Sequence, residues 1–364
     1  MNSAPLARTG KLLALPALVG LGLALWAYKE QAYSDSWRSA LKQDIRQIDE
    51  QSPGNIGVYV KHLGDGGVLD YEADRFWYLG SAVKVPIAVA VLQSVDEGEH
   101  SLEEQLTLEA TDKVDGSGDL VWQDDGVEYS LRDLLNEMLI ESDNTAANML
   151  IRLIGEDELN ERTRKNMGGK GFERITDFTQ VRRDVYGELH PDARELDNIE
   201  LVKLASAPFS EPRYEAVANA LSLSKSDLKA DSMEQAYERY YARNLNSSTL
   251  EAYGTLLEKL VEGDLLSESS RDLLFKDMKL DRYDAYRLEA GLPSDVPFIQ
   301  KTGTQLERAC HVGVIEPLAE KQAKTVIIVV CAEALDEAKE AGATFERVGE
   351  AITRVLLKPV SAAD

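Results

Sequence analysis

The chain has 364 residues, 44% of them hydrophobic, enough for one large domain or two modest ones with an ample core. A formal net charge of −24 repels phosphate backbones and argues against nucleic acid as a partner. Two cysteines and four scattered histidines have no zinc-ligand spacing, so neither a metal site nor a cofactor is expected.

At the N-terminus, Arg8 and Lys11 precede an uncharged apolar run at residues 12–28, which fits a secretory signal or a short membrane anchor. No clean A-x-A cleavage site follows, and Trp26 and Tyr28 suit the membrane interface. Residues 1–30 are therefore expected to be an uncleaved single-pass anchor in the inner membrane. The rest of the chain would face the periplasm; the alternative is a removed signal and a secreted product.

Residues 36–50 place Trp37, Leu41, Ile45 and Ile48 at helical spacing. Residues 55–63 and 67–79 read as strands around "GDGG", a hairpin signal. A helix then runs from Ser81 to about Asp96. Residues 112–126 are acidic without a calcium-loop register and read as a solvated loop. Two helices are expected within 130–155, around an "ESDN" break. Residues 199–245 are charged and helical in pattern, and 248–278 are again helical. Three strands (298–304, 308–317, 324–333) and a closing helix (344–357) end the chain. Strands at both ends with helices between them predict an α+β fold: one antiparallel sheet completed by the termini, and a helical lobe.

Three short motifs occur in order: "SAVK" at 81–84, "SDN" at 142–144 and "KTG" at 301–303. The first alone would arise about once by chance in a chain this long; the ordered trio is far rarer. Through these motifs and the "SDNTAANML" stretch, residues 36–358 resemble the class A β-lactamases and penicillin-binding proteins, a superfamily of serine acyl-enzymes. The resemblance implies a β-lactamase/transpeptidase-like domain over 36–358. It also implies a carboxylate-bearing substrate with an amide or ester bond, either a small β-lactam or a peptide like a cell-wall fragment.

Ser81 would lie at a helix N-terminus, where the dipole and free N–H groups favour negative charge. Lys84, one turn on, can reach the Ser81 hydroxyl and serve as base if semi-buried. Without the other motifs, Ser81 would read as a helix cap with a solvent-facing lysine. By resemblance, Ser142 relays a proton to the leaving group, and Asn144 hydrogen-bonds the substrate amide and Lys84. Asp143 is read as holding the loop. Lys301 offers a cation and Thr302 a hydroxyl to a substrate carboxylate, while Gly303 permits close backbone approach. The resemblance further implies an oxyanion hole from the N–H groups of Ser81 and Thr304, each donor worth about 3 kcal/mol.

The efficient β-lactamases carry an E-x-x-L-N glutamate between SDN and KTG that activates the deacylating water. Residues 176–196, the corresponding region, contain Glu188 and Glu195, but neither is followed by Leu-Asn at the right offset. Glu188 is the candidate base. Slow deacylation is expected, which favours a penicillin-binding, peptidase-like or esterase activity; a catalytically idle module that binds peptidoglycan or protein is the rival reading. The acidic helical insertion at about 197–245 reads either as a lid or partner-binding flap, or as a tolerated surface insertion. Cys310 and Cys331 lie almost opposite each other in hairpin register, but a one-residue offset would forbid a bond, and free buried thiols are expected. Arg308 and His311 could approach the substrate carboxylate but fit no motif.

Overall fold

The computed structural model describes residues 35–279, 285–316 and 324–357. The expected membrane segment, residues 1–30, lies outside them. The described strands are β1 (Asn55–His62), β2 (Val68–Tyr71), β3 (Phe76–Tyr78), β4 (Gln105–Thr107), β5 (Glu128–Ser130), β6 (Ser247–Thr249), β7 (Phe298–Gln305), β8 (Arg308–Ile315) and β9 (Val326–Glu333). The helices are α1 (residues 35–51), α2 (Lys84–Asp96), α3 (Leu131–Ile140), α4 (Asn144–Ile154), α5 (Glu156–Asn166), α6 (Phe178–Leu189), α7 (Asn198–Ala205), α8 (Glu211–Ala220), α9 (Met233–Tyr241), α10 (Leu250–Glu262), α11 (Glu268–Met278) and α12 (Ala341–Ile352).

The main sheet is antiparallel in the order β2-β1-β9-β8-β7, so the termini complete it, as the sequence pattern suggested. The single strand expected over 67–79 is two. Glu72 takes a left-handed backbone (φ 51°), and the chain turns out of the main sheet to pair β3 with β6.

Both faces of the sheet are covered, which is why β9 reads as almost uninterrupted apolar residues. Ile56, Val58, Ile328 and Val330 meet Trp37, Leu41 and Ile45 of α1 and Phe345 and Val348 of α12. On the other face, Val312, Ile327 and Val329 pack with the helical lobe around α2 and α10. α2 is apolar and buried on all sides; Pro86 sits in its first turn, where a missing N–H costs little.

The insertion forms α7, α8 and α9 and has a core of its own. Met233, Tyr237 and Tyr240 bury against Val181, Val185 and Tyr186 of α6 and against Tyr78 of β3. It is docked on α6 and β3, and Asn198 at the start of α7 donates to the carbonyls of Thr111 and Lys113.

Cys310 and Cys331 are directly paired in the β8–β9 register and joined by a disulfide. The expectation of free thiols is therefore corrected. No residue offset separates the pair, so both side chains project from the same face, with Cα atoms 4.0 Å apart.

Candidate active site

Ser81 lies in a short 3-10 turn, Gly80–Val83, and α2 proper begins at Lys84. Gly80 has φ +53°, and a Cβ there would stand 2.7 Å from the Thr304 nitrogen. Only glycine lets this turn lie against β7. The Ser81 hydroxyl caps no helix: no side-chain cap bond is made at this helix start. Lys84 is fully buried instead of facing solvent. Its Nζ donates to Ser81 Oγ (3.3 Å), Ser142 Oγ (3.2 Å), Asn144 Oδ1 (2.7 Å) and the Ser142 carbonyl. Among the described residues no carboxylate lies within ion-pair distance of it. The ring of Phe178, the first residue of α6, covers the ammonium with its centroid 4.9 Å away. Burial, and then the positive charge of Lys301, hold the Lys84 pKa well below the usual lysine range, against a smaller opposing pull from Asp143.

The SDN turn is held from two sides. Ser142 adopts a left-handed backbone (φ 57°). Asp143 caps α4 by accepting from the Ala146 N–H (2.8 Å), and accepts from the Leu120 N–H as well (3.0 Å). Capping and positioning thus coexist, and Asp143 holds the loop. The acidic stretch 112–126 is only in part the solvated loop expected: residues 122–126 are exposed, but Asp112, Val114, Leu120 and Val121 are buried. The Asp115 carbonyl accepts from Asn144 Nδ2 (2.9 Å), and Ser117 Oγ donates to the Ser142 carbonyl (2.5 Å). The stretch forms one wall of the site, because its peptide groups supply the partners that buried Asn144 and the SDN backbone need. Asp115 is anchored in turn by Arg182 of α6, 2.7 Å away and buried.

β7 brings Lys301 to the same point. Its Nζ donates to Ser142 Oγ (3.0 Å), so Ser142 sits between two lysines. Burial and the nearby Arg287 push Lys301 down to about 8. By strand alternation Lys301 and Gly303 share a face with Cys310, while Thr302 and Thr304 share the other with His311. Thr302 Oγ1 accepts from Tyr286 Oη (3.0 Å). Arg287 reaches the strand end, donating to the carbonyls of Gly303 (3.0 Å) and Cys310 (3.1 Å) and to Thr304 Oγ1 (2.8 Å).

Lys84, Ser142, Asn144 and Lys301 therefore meet around Ser81, with Thr302, Gly303 and Thr304 on the adjoining strand. Glu188 does not join them. It pairs with Arg194 (3.4 Å) near the end of α6, about 15 Å along the axis from Phe178 at 1.5 Å per residue. His311 is a buried prop: Nδ1 accepts from the Leu288 N–H (3.2 Å), so Nε2 carries the proton towards Gln300 Oε1 (2.9 Å). Burial and the charges of Arg287 and Lys301 keep it neutral. Arg308 turns away, to Glu238 (2.8 Å). Sequence reasoning missed Phe178, Asp115, Tyr286 and Arg287, which lie outside any recurrent spacing and are brought in by tertiary packing.

Residues 40–356 match the model of the Beta-lactamase enzyme family, and the chain belongs to that family. It is 24% identical over 295 residues to the β-lactamase OXY-2 of Klebsiella oxytoca, an alignment covering 80% of this chain and 77% of that protein. To the β-lactamase VEB-1 of Pseudomonas aeruginosa it is 26% identical over 125 residues, which cover 34% of this chain and 42% of that protein. Several such relatives are matched over about half of their length. The fold is shared with a PBP-A variant solved as an acyl-enzyme complex with penicillin G (TM-score 0.64, 20% identity, 88% of this chain and 97% of that one). It is shared also with a β-lactamase from Sphaerobacter thermophilus (TM-score 0.63, 22% identity, 88% and 98%).

Proposed function

We propose that Ser81 is the nucleophile of a serine acyl-enzyme that takes carboxylate-bearing amides, β-lactams among them, and releases the acyl group slowly. The observation that carries this reading is the buried Lys84, touching both Ser81 and Ser142 with no carboxylate among the described residues to hold its proton. A neutral Lys84 takes the Ser81 proton as Oγ attacks the carbonyl carbon. Negative charge then develops on the carbonyl oxygen, beside the N–H groups of Ser81 and Thr304. Ser142 passes a proton to the departing nitrogen and is resupplied by the lysine at its other side. Lys301 and Thr302 bind the substrate carboxylate, with the Arg287 guanidinium adding positive field behind the strand.

Water must then attack the ester. The side of Lys84 open to α6 presents the Phe178 ring, Glu188 is remote, and the nearby Asp115 and Asp143 are engaged by Arg182 and by backbone N–H groups, so none of these is placed to activate that water. This supports a long-lived adduct, in the manner of a penicillin-binding enzyme, over rapid antibiotic hydrolysis. We also read the domain as periplasmic, behind the anchor expected of residues 1–30; the Cys310–Cys331 disulfide is consistent with an oxidising compartment.

The test is intact-mass spectrometry of the protein over time after adding benzylpenicillin, with Ser81→Ala alongside. A persistent adduct on the wild type alone is expected. Consumed drug with free protein would overturn slow release; intact drug with no adduct would overturn acylation by β-lactams.

A further inference from the structure

The two arms that would form the oxyanion hole are both fastened to one helix of the insertion. The Ser81 arm is reached through β3, where Tyr78 packs on Tyr241 (ring centroids 4.9 Å apart) and on Tyr240 (5.9 Å). The next residue, Leu79, donates its N–H to the Asn246 carbonyl (3.0 Å), and Asn246 Nδ2 donates to Tyr240 Oη (2.9 Å). The Thr304 arm is reached through the β7–β8 turn, where Tyr241 Oη donates to the Leu306 carbonyl (2.8 Å). Just beyond that turn, Arg308 is bound to Glu238 of α9 (2.8 Å) and lies over the Tyr241 ring at 4.4 Å. Between the arms, Gly80 and Thr304 already lie against each other, so a shift of either moves the hole.

We propose that α9 sets the geometry of the oxyanion hole, with Tyr241 as the positioning residue: its ring holds the Ser81 arm and its hydroxyl the Thr304 arm. The acidic insertion is then neither a lid nor a passive surface addition. It is a fixed brace for transition-state binding, and this rests on Ser81 acylation as proposed above. The energetic logic is that a hole preorganised around a developing oxyanion gains in the transition state and little in the ground state. Loosening it should therefore lower the rate at saturation and leave substrate binding alone.

The experiment compares wild type with Tyr241→Phe, which keeps the ring and removes only the hydroxyl. The acylation rate at saturating benzylpenicillin is expected to fall about tenfold, since small misplacements of reacting groups carry penalties of that order. The half-saturating concentration should stay within about twofold, and affinity for an arylboronic acid that forms a tetrahedral adduct on Ser81 should weaken by the same factor as the rate. Glu238→Gln, which cuts the ion pair to Arg308, should act in the same direction more weakly and decides the matter if Tyr241→Phe does not fold. An unchanged rate on a reactive wild type, or an effect confined to half-saturation, overturns the inference alone. A wild type that forms no adduct overturns the acyl-enzyme reading and this inference with it.

Discussion

At the residue scale, the proposed slow release of the acyl group turns on Phe178. Its ring lies beside Lys84, where it contributes no carboxylate to activate water. Phe178→Glu is expected to shorten the lifetime of the penicillin adduct, since a positioned general base typically adds a factor of about 10² or more. Time-resolved mass spectrometry checks this; an adduct as durable as the wild type's would show that the ring is not what delays water.

Lys301 gives the alkaline limit. Its pKa is depressed to about 8 by burial and Arg287, so the free protein carries the cation proposed to bind the substrate carboxylate below that pH and loses it above. The second-order acylation rate by benzylpenicillin should therefore decline as pH rises past 8, while Lys84, acting as base, adds no alkaline limb because losing its proton can only help it. A methyl-esterified penicillin, with no carboxylate to bind, should lack that decline. If both compounds fall together, the limb belongs to another group. The motif residues themselves were legible because a helical turn, a capped helix start and an edge strand fix each at short range. Phe178 and Arg287 were not, since each works through a contact made by a segment distant in sequence that no local spacing foretells. Glu188 was chosen from its place along the chain, and the length of α6 puts it at the wrong end.

At the element scale, the pattern of apolar positions found α1, α3, α4 and the three C-terminal strands close to their observed limits. It failed where backbone conformation intervened. Glu72 turns a long apolar stretch into two strands in different sheets, an exit that a non-glycine residue does not advertise. The 112–126 stretch looked solvated by composition, yet Asp112 is buried against Arg152 and the half-buried Asp115 is paired with buried Arg182. Charge counted along a sequence does not show which charges find a partner. The cysteines show the same limit, because their pairing depends on a register that turns on a single residue. The bond links β8 and β9 beside the strand that carries Lys301. Reduction, or Cys310→Ala with Cys331→Ala, is expected to lower stability by about 3 kcal/mol for a closed loop of this size. Thermal melting with and without reductant measures it, and an unchanged midpoint would mean the hairpin is held by its ladder alone.

At the scale of the whole molecule, three cores share the work: one beneath α1 and α12, one in the helical lobe, and one between α6 and the insertion. The site lies where the last two meet the edge of the sheet, so its residues are held from several directions. The sheet order has a consequence in time as well as in space. β1, made first, pairs along its full length with β9, made near the end, from Asn55 opposite Glu333 to His62 opposite Val326. A growing chain cannot finish its central sheet until almost all of it has left the ribosome, and pairings between such distant segments form slowly. Synthesis thus delivers an open chain, and the sheet whose edge carries Lys301 is completed only when strands from opposite ends of the described sequence find each other.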